Sequence, residues 1–342
     1  MTNKTATEIP GTATTRPGPD LVATRGLSLL GVLIALIAIA AIAQPRFLLI
    51  ENLRDGIVVS AAMLLIVATG QALVIITRNI DLSVASILGF SAYVGGSLAR
   101  ELPDLPIVVS LLAGLGLGLV LGSVNGLLVV VGRVPAIVAT LGTLFIFRGV
   151  MALFAKGNPI AAGELAPEFI GFPTQIVLGL PVIAILAILV VLGGGYFLHR
   201  TRVGRGMYAI GSNADAARVL GISVSRHTFL AFLVSGGLSG LAGVIWVMRY
   251  AGADSGTASG YELAVIAAVV VGGVTVFGGS GSIFGVVIGG LLLVTAQNVL
   301  NILGISGYWI QAVYGATIVA AIVTDAAIAR RLARTGTRKA GG

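Results

Sequence analysis

An all-α, polytopic membrane protein is the fold class this sequence predicts, and three observations carry the prediction. Apolar stretches of about twenty residues recur from Leu27 to Asp325, each long enough to cross a hydrocarbon core roughly 30 Å thick. Hydrophobic residues make up 57% of the 342 residues and charged ones 10%, with a mean hydropathy of +1.05; that is too little charge to give so long a chain a polar skin. The runs "AAMLLIVATGQALVIIT" and "VIAILAILVVLGGGYFL" are apolar on every face. Barrel strands would alternate, so the backbone satisfies itself in helices.

Residues 1–26 are polar and rich in Thr, Pro and Gly, and read as a disordered cytoplasmic tail. The membrane domain spans 27–326, with about ten segments near 27–43, 56–77, 81–99, 107–131, 136–155, 177–198, 228–250, 262–278, 282–302 and 308–325. The first ends in "AIAQP", which resembles a signal-peptidase site; the spans that follow favour an uncleaved helix. The third, "NIDLSVASILGFSAYVGGSLA", is short, carries Asp81 and reads as broken or partly re-entrant. Residues 199–227 form the longest inner loop and 327–342 a basic cytoplasmic tail.

Placing both termini inside puts fifteen Lys and Arg on the inner side: Lys4, Arg16, Arg25, Arg78, Arg133, Arg200, Arg202, Arg205, Arg218, Arg226, Arg330, Arg331, Arg334, Arg338 and Lys339. Five fall outside: Arg46, Arg54, Arg100, Lys156 and Arg249. The asymmetry sets the orientation and accounts for the net charge of +8 without nucleic acid. The chain has no cysteine, which excludes disulfides, thiolate nucleophiles and Cys-ligated metal. Its two histidines, His199 and His227, have no metal-ligand spacing.

Lipid supplies no hydrophobic drive for helix association, so close backbone approach matters. Gly114, Gly118, Gly122 and Gly126 form one stripe down a helix face, and Gly236/Gly240 and Gly285/Gly289 form two shorter ones. They predict tight packing, or faces that slide during a transport cycle.

Within 199–227 the stretch "GRGMYAIGSNADAARVLGI" predicts a surface helix of about two turns. Ser212 or Asn213 caps it, Asp215 suits the dipole and echoes a shortened capping box, and Gly221 stops it. So short a helix is marginal alone; it is either a connecting loop or a docking helix that transmits force from a cytoplasmic protein.

The segment "TRVGRGMYAIGSNADAARVLGISV" resembles the cytoplasmic coupling segment of ABC importer permeases of the ribose/galactose type, whose pattern is G-R-x-x-Y/F-A-x-G-x-N-x-x-A-A-x-x-x-G-I. "TRNIDLSVASI" (77–87), "RVPAIVATLGTLFIFRG" (133–149) and "GYELAVIAAVVVGGVTVFGGSGSIFG" (260–285) fit the same family, in order, over nearly all of the chain after Ala23. Ala85 departs from the glycine many members carry there. "TRNID" and "PAIVATLGTL" resemble most closely members that handle rhamnose or the furanose-like signal autoinducer-2. The resemblance implies a BtuC-like, type II ABC importer permease architecture in the bacterial inner membrane. It implies a pair of permeases (two copies or a paralogue), cytoplasmic ATP-binding subunits that hold ATP and Mg, and an extracytoplasmic sugar-binding protein. It assigns ATPase coupling to Gly204, Arg205, Tyr208, Ala209, Gly211, Asn213, Ala216, Ala217, Arg218 and Gly221. No phosphate loop of the form G-x-x-x-x-G-K-[ST] is present, so the chain is expected to be a transport subunit without catalytic residues, metal or cofactor of its own. "GGVTVFGGSGSIFG" lacks the lysine and reads as a tight inner turn.

Polar groups inside the spans are candidates for the path or gate, since a charge at mid-bilayer costs at least ~2.5–3.5 kcal/mol. Asp81 either pairs with Arg78, one turn away, or shapes an inner gate with Asn79 and Ser83. Asn298 and Asn301 share a face beside Gln297; they, Gln71 and Asn125 either meet a passing sugar or join helices. Arg148 either snorkels or pairs within the bundle. The outer loops 156–176 and 251–261 could meet the binding protein. A secondary transporter driven by an ion gradient is the rival reading, resting on Asp81 and Asp325. An intramembrane enzyme finds no Ser/His, HExxH or paired-Asp constellation in the spans.

Overall fold

The computed structural model describes residues 19–305, 309, 311–319 and 323, with side chains from residue 29 onward. The tail readings for 1–18 and 327–342, and Asp325, lie outside these residues. Twelve helices follow in order: α1 (Pro19–Ala43), α2 (Val59–Ile76), α3 (Val84–Glu101), α4 (Ile107–Val130), α5 (Ala136–Ala155), α6 (Pro167–Gly171), α7 (Val182–Arg200), α8 (Arg202–Ser212), α9 (Ala214–Val219), α10 (Val224–Tyr250), α11 (Tyr261–Val271) and α12 (Ile283–Ile302). Residues 311–319 are also helical. Prolines mark several starts: Pro106, Pro135 and Pro181 stand at the N-caps of α4, α5 and α7, where a missing N–H costs nothing.

Among the described residues, six helical stretches are long and apolar enough to span a membrane: Asn52–Ile76, Ile107–Val130, Ala136–Ala155, Val182–Arg200, Val224–Tyr250 and Ile283–Ile302. The first is α2 with a π-helical turn, Asn52–Val58, at its start. α2 is the axis of the bundle, with 94% of its apolar window buried. α4, α5 and α7 turn apolar faces outward, through Leu112, Val120, Leu141, Phe145, Leu153, Leu189 and Leu192, as an outer wall in lipid requires.

The glycine stripes are seams. A Cβ at Gly118 would stand 2.2 Å from the Gly236 carbonyl oxygen, and one at Gly240 2.1 Å from that of Gly114. α4 and α10 therefore meet backbone to backbone. Gly285 and Gly289 meet Gly272 and Ala268 in the same way, locking α12 to α11.

Three expectations change. The third segment is an unbroken 18-residue helix, α3; the irregular part is the turn before it, 77–83, where the polar "TRNIDLS" gives the backbone side-chain partners instead of an apolar face. The eighth segment is helical only from Tyr261 to Val271, because Gly272, Gly273, Gly278, Gly279 and Gly281 of 272–282 serve close contacts and positive φ rather than a helix. α1 begins at Pro19, earlier than the predicted start near 27.

Alternate connections gather at two ends. At one, residues 76–83, 131–135, 200–223 and 272–282 lie together; it is called here the α8–α9 end. At the other, the β1 (Ile176–Val177)/β2 (Leu180–Pro181) hairpin sits with the loops 156–176 and 251–261, which join through the Ile160–Ala253 bridge.

Candidate functional site

At the α8–α9 end the 199–227 loop is two helices, not one. Thr201 caps α8 by accepting from the Gly204 N–H at 2.9 Å. One face of α8, with Gly204, Gly206, Met207, Ile210 and Gly211, is buried; Arg202 and Arg205 stay exposed. The missed signal is this face, whose glycines look like loop residues until backbone packs on them. A Cβ at Gly204 would lie 2.1 Å from the Phe197 carbonyl of α7, and one at Gly206 2.5 Å from the His227 ring of α10. At Gly211 it would lie 1.9 Å from the Ile76 carbonyl at the end of α2 and 2.3 Å from the Gly279 nitrogen. The Gly279 N–H itself donates to Ile76 at 2.9 Å. The Tyr208 hydroxyl donates to the Gly281 carbonyl at 2.8 Å, and burial pushes its phenol up to about 12, so it remains a donor throughout the physiological range. α8 thus rests on α2, α7, α10 and the α11–α12 turn at once.

α9 projects from this seat. The Asn213 side chain caps it, accepting from the Asp215 and Ala216 N–H groups at 3.0 Å each. Ser212 is instead the last residue of α8. Asp215 makes no capping box, because with Asn213 as the cap it stands at the second helical position rather than the third; it pairs with Arg218 one turn on. Gly221, at φ 77°, closes α9 with a Schellman pair: its N–H donates to Arg218 (2.9 Å) and that of Ile222 to Ala217 (3.0 Å). Ala209 is half-buried and Ala217 buried, while Arg205, Ala216 and Arg218 are exposed. Beyond them Val219 and Leu220 are 88% and 76% exposed.

A polar network lies beside this seat. Asp81 is fully buried and does not pair with Arg78, which turns away at φ 66° against Gly278. One carboxylate oxygen of Asp81 accepts from the Ser83 N–H (2.9 Å) and hydroxyl (2.7 Å). Asn125 Nδ2 donates to Ser83 Oγ at 2.7 Å, and the Thr143 hydroxyl donates to Asn125 Oδ1 at 2.6 Å. Thr140 Oγ1 lies 3.2 Å from the Ile80 carbonyl. The turn before α3 is thereby tied to α4 and α5. Thr140 and Thr143 were legible as hydroxyls one turn apart in an apolar run.

The remaining candidates lie elsewhere. Asn79 Nδ2 donates to the Thr77 carbonyl at 2.9 Å. Gln71 is fully buried on α2 with neither amide atom partnered. Asn298, at the hairpin end, exchanges two hydrogen bonds with Asn52 at 2.8 and 3.1 Å; Asn52 preceded the predicted span and was missed. Asn301 is exposed. Arg148 donates to the Thr257 carbonyl at 2.6 Å, so it bonds to the loop 251–261. Among the described residues no cluster of metal-ligating side chains occurs.

Residues 53–322 match the family described as branched-chain amino acid transport system / permease component. The chain is similar to the ribose import permease protein RbsC of Escherichia coli (strain K12), 39% identical over 86% of this chain and 91% of that protein. It is similar to the autoinducer 2 import system permease protein LsrC of Enterobacter sp. (strain 638), 37% identical over 90% of this chain and 86% of that one. It is also similar to the D-allose transport system permease protein AlsC of Escherichia coli (strain K12), 34% identical over 87% and 91%. No solved structure matches.

Proposed function

The chain belongs to the permease family described as branched-chain amino acid transport system / permease component, and from that premise we propose that it is the membrane-spanning subunit of an ABC importer for a monosaccharide or a closely related small polyol. Ribose, allose and autoinducer-2, named for its relatives, set the substrate class. The α8–α9 end faces the cytoplasm, with both termini on that side, as the Lys and Arg distribution requires. The chain crosses about ten times in the type II, BtuC-like manner and pairs with a second permease. ATP and Mg belong to the partner ATP-binding subunits, and an extracytoplasmic sugar-binding protein delivers the substrate.

One observation supports the coupling role above the others: α8 bears directly on the end of the axial helix at Gly211 and Ile76. A push on α9 reaches α2, α7 and α10 through backbone contacts that do not compress. The exposed Val219 and Leu220, rimmed by Arg218 and Asp215, offer the ATP-binding subunit an apolar contact with a polar edge. The Asp81–Ser83–Asn125–Thr143 network lies next to the moving joint and acts as the inner gate of a path that is polar without being strongly charged.

The test is uptake of radiolabelled sugar by cells expressing the three components. Arg205→Glu reverses the charge on the exposed face of α8 and is expected to abolish uptake at unchanged membrane insertion. Uptake at the unsubstituted level would remove the coupling assignment.

A further inference from the structure

The α8–α9 end carries a groove that shares Arg205 with the coupling face but extends to Arg202 and Arg226, which the coupling assignment does not use. It lies between the first half of α8 and the first two turns of α10, encloses about 600 Å³, and is lined by Arg202, Val203, Arg205, Arg226, His227 and Leu230. None of the three arginines has a carboxylate partner among the described residues. Asp215, the one described acid of this loop, is taken by Arg218. Arg205 donates only to the Arg200 carbonyl, at 3.0 Å. Both flanking helices start at the groove, α8 after the Thr201 cap and α10 after the Ser223 cap, so both positive dipole ends lie at the same site as the arginines.

The groove is two-sided in chemistry. Its cationic rim is set by residues that precede or open the helices, whereas Leu230 lies seven residues into α10, about 10 Å along the axis, and is apolar. Outside the groove's own lining, α4 offers further apolar surface at the same end: Gly126 packs on Phe229, and Leu127 and Val131 are 50% and 72% exposed. A compact anion at the rim with a hydrocarbon tail running up α4 and α10 satisfies both halves; a soluble anion satisfies one. Basic pockets between helices on the cytoplasmic side bind anionic lipid head groups for this reason.

We propose that this groove is a binding site for the phosphate of an anionic phospholipid of the inner leaflet, held by Arg202, Arg205 and Arg226. The site rests on the sidedness proposed above. Because Arg202 lies on α8 and Arg226 on α10, the bound phosphate pins the foot of the coupling helix to the start of the helix it moves.

The experiment is native mass spectrometry of the purified full chain after delipidation, titrated with phosphatidylglycerol and, separately, phosphatidylcholine. The unsubstituted chain is expected to retain phosphatidylglycerol in preference to phosphatidylcholine. Arg202→Gln/Arg226→Gln is expected to bind phosphatidylglycerol about 30-fold more weakly, from about fivefold per arginine, and Arg202→Lys/Arg226→Lys to keep most of the affinity. Equal retention by the glutamine variant overturns the site. Unchanged lipid binding with weaker co-purification of the ATP-binding subunit overturns it too and gives the groove to that partner, and binding of inorganic phosphate alone as tightly as the lipid removes the role of the tail. Labelling of a cysteine placed at Ala216 from each side of the membrane reads sidedness independently, so the two failures are distinguishable.

Discussion

Asn125 is the residue on which the inner network turns. Its amide donates to Ser83 and accepts from Thr143, so Asn125→Leu leaves two buried hydroxyls short of a partner. Each such interhelical bond is worth about 0.6–2 kcal/mol in a membrane, and the variant is expected to melt a few degrees lower in detergent. Asp81→Asn is the contrasting case. Its remaining oxygen still accepts both Ser83 bonds, and no cation loses a partner, so the melting temperature is expected to move by less than half as much. A larger loss for Asp81→Asn than for Asn125→Leu would mean that the charge, not the hydrogen-bonding geometry, holds the turn. The sequence left Asp81 between Arg78 and a gate shared with Asn79 and Ser83, and it did not point to Thr143, which stands 60 residues from Ser83 and is joined to it only by helix packing.

Between elements, two devices dominate. The α4–α10 seam has glycine on both sides, and overpacking a seam costs about 1–3 kcal/mol. Gly118→Ala drives a methyl into the Gly236 carbonyl, whereas Gly116→Ala meets nothing within 4 Å. Thermal unfolding of the purified variants is expected to separate them, with Gly118→Ala destabilised and Gly116→Ala unchanged; equal melting would deny the seam. The second device is the pair of caps on α9, a helix of six residues that could not stand alone. Asn213→Ala costs about 1 kcal/mol of local stability and Gly221→Ala about 1–2 kcal/mol through its left-handed backbone. Both are expected to speed hydrogen exchange of the Ala216–Leu220 amides without moving the global melting temperature. The sequence predicted these caps because capping is local. It missed α8, because a glycine-rich amphipathic face looks like a loop until four partners are packed against it.

For the whole molecule the question is what drives transport. Ser83 holds one oxygen of Asp81 and the other is buried without a partner, so a carboxylate is present in the bundle, while the relatives are permeases of import systems for ribose and autoinducer 2. In ATP-loaded vesicles carrying the permease, ATP-binding subunit and binding protein, a protonophore with a sodium ionophore is expected to leave the initial uptake rate unchanged, and depletion of ATP to abolish it. Uptake that collapsed with the gradients would restore the secondary-transporter reading.

Composition and hydrophobic run length by themselves determined the membrane class and located the long apolar helices, and the family was legible through the resemblance of four separated motifs, because solvent and local backbone geometry act on short stretches of chain. Tertiary structure decided which helix is the axis, that Asp81 answers to Ser83 rather than Arg78, where α11 stops, and that the inner loop is a seat for α8 with α9 standing on it. The Asp81–Ser83 contact is local, but the seat of α8 and the end of α11 depend on backbone far apart in sequence meeting across glycine, and the sequence names the glycines without naming what lies opposite.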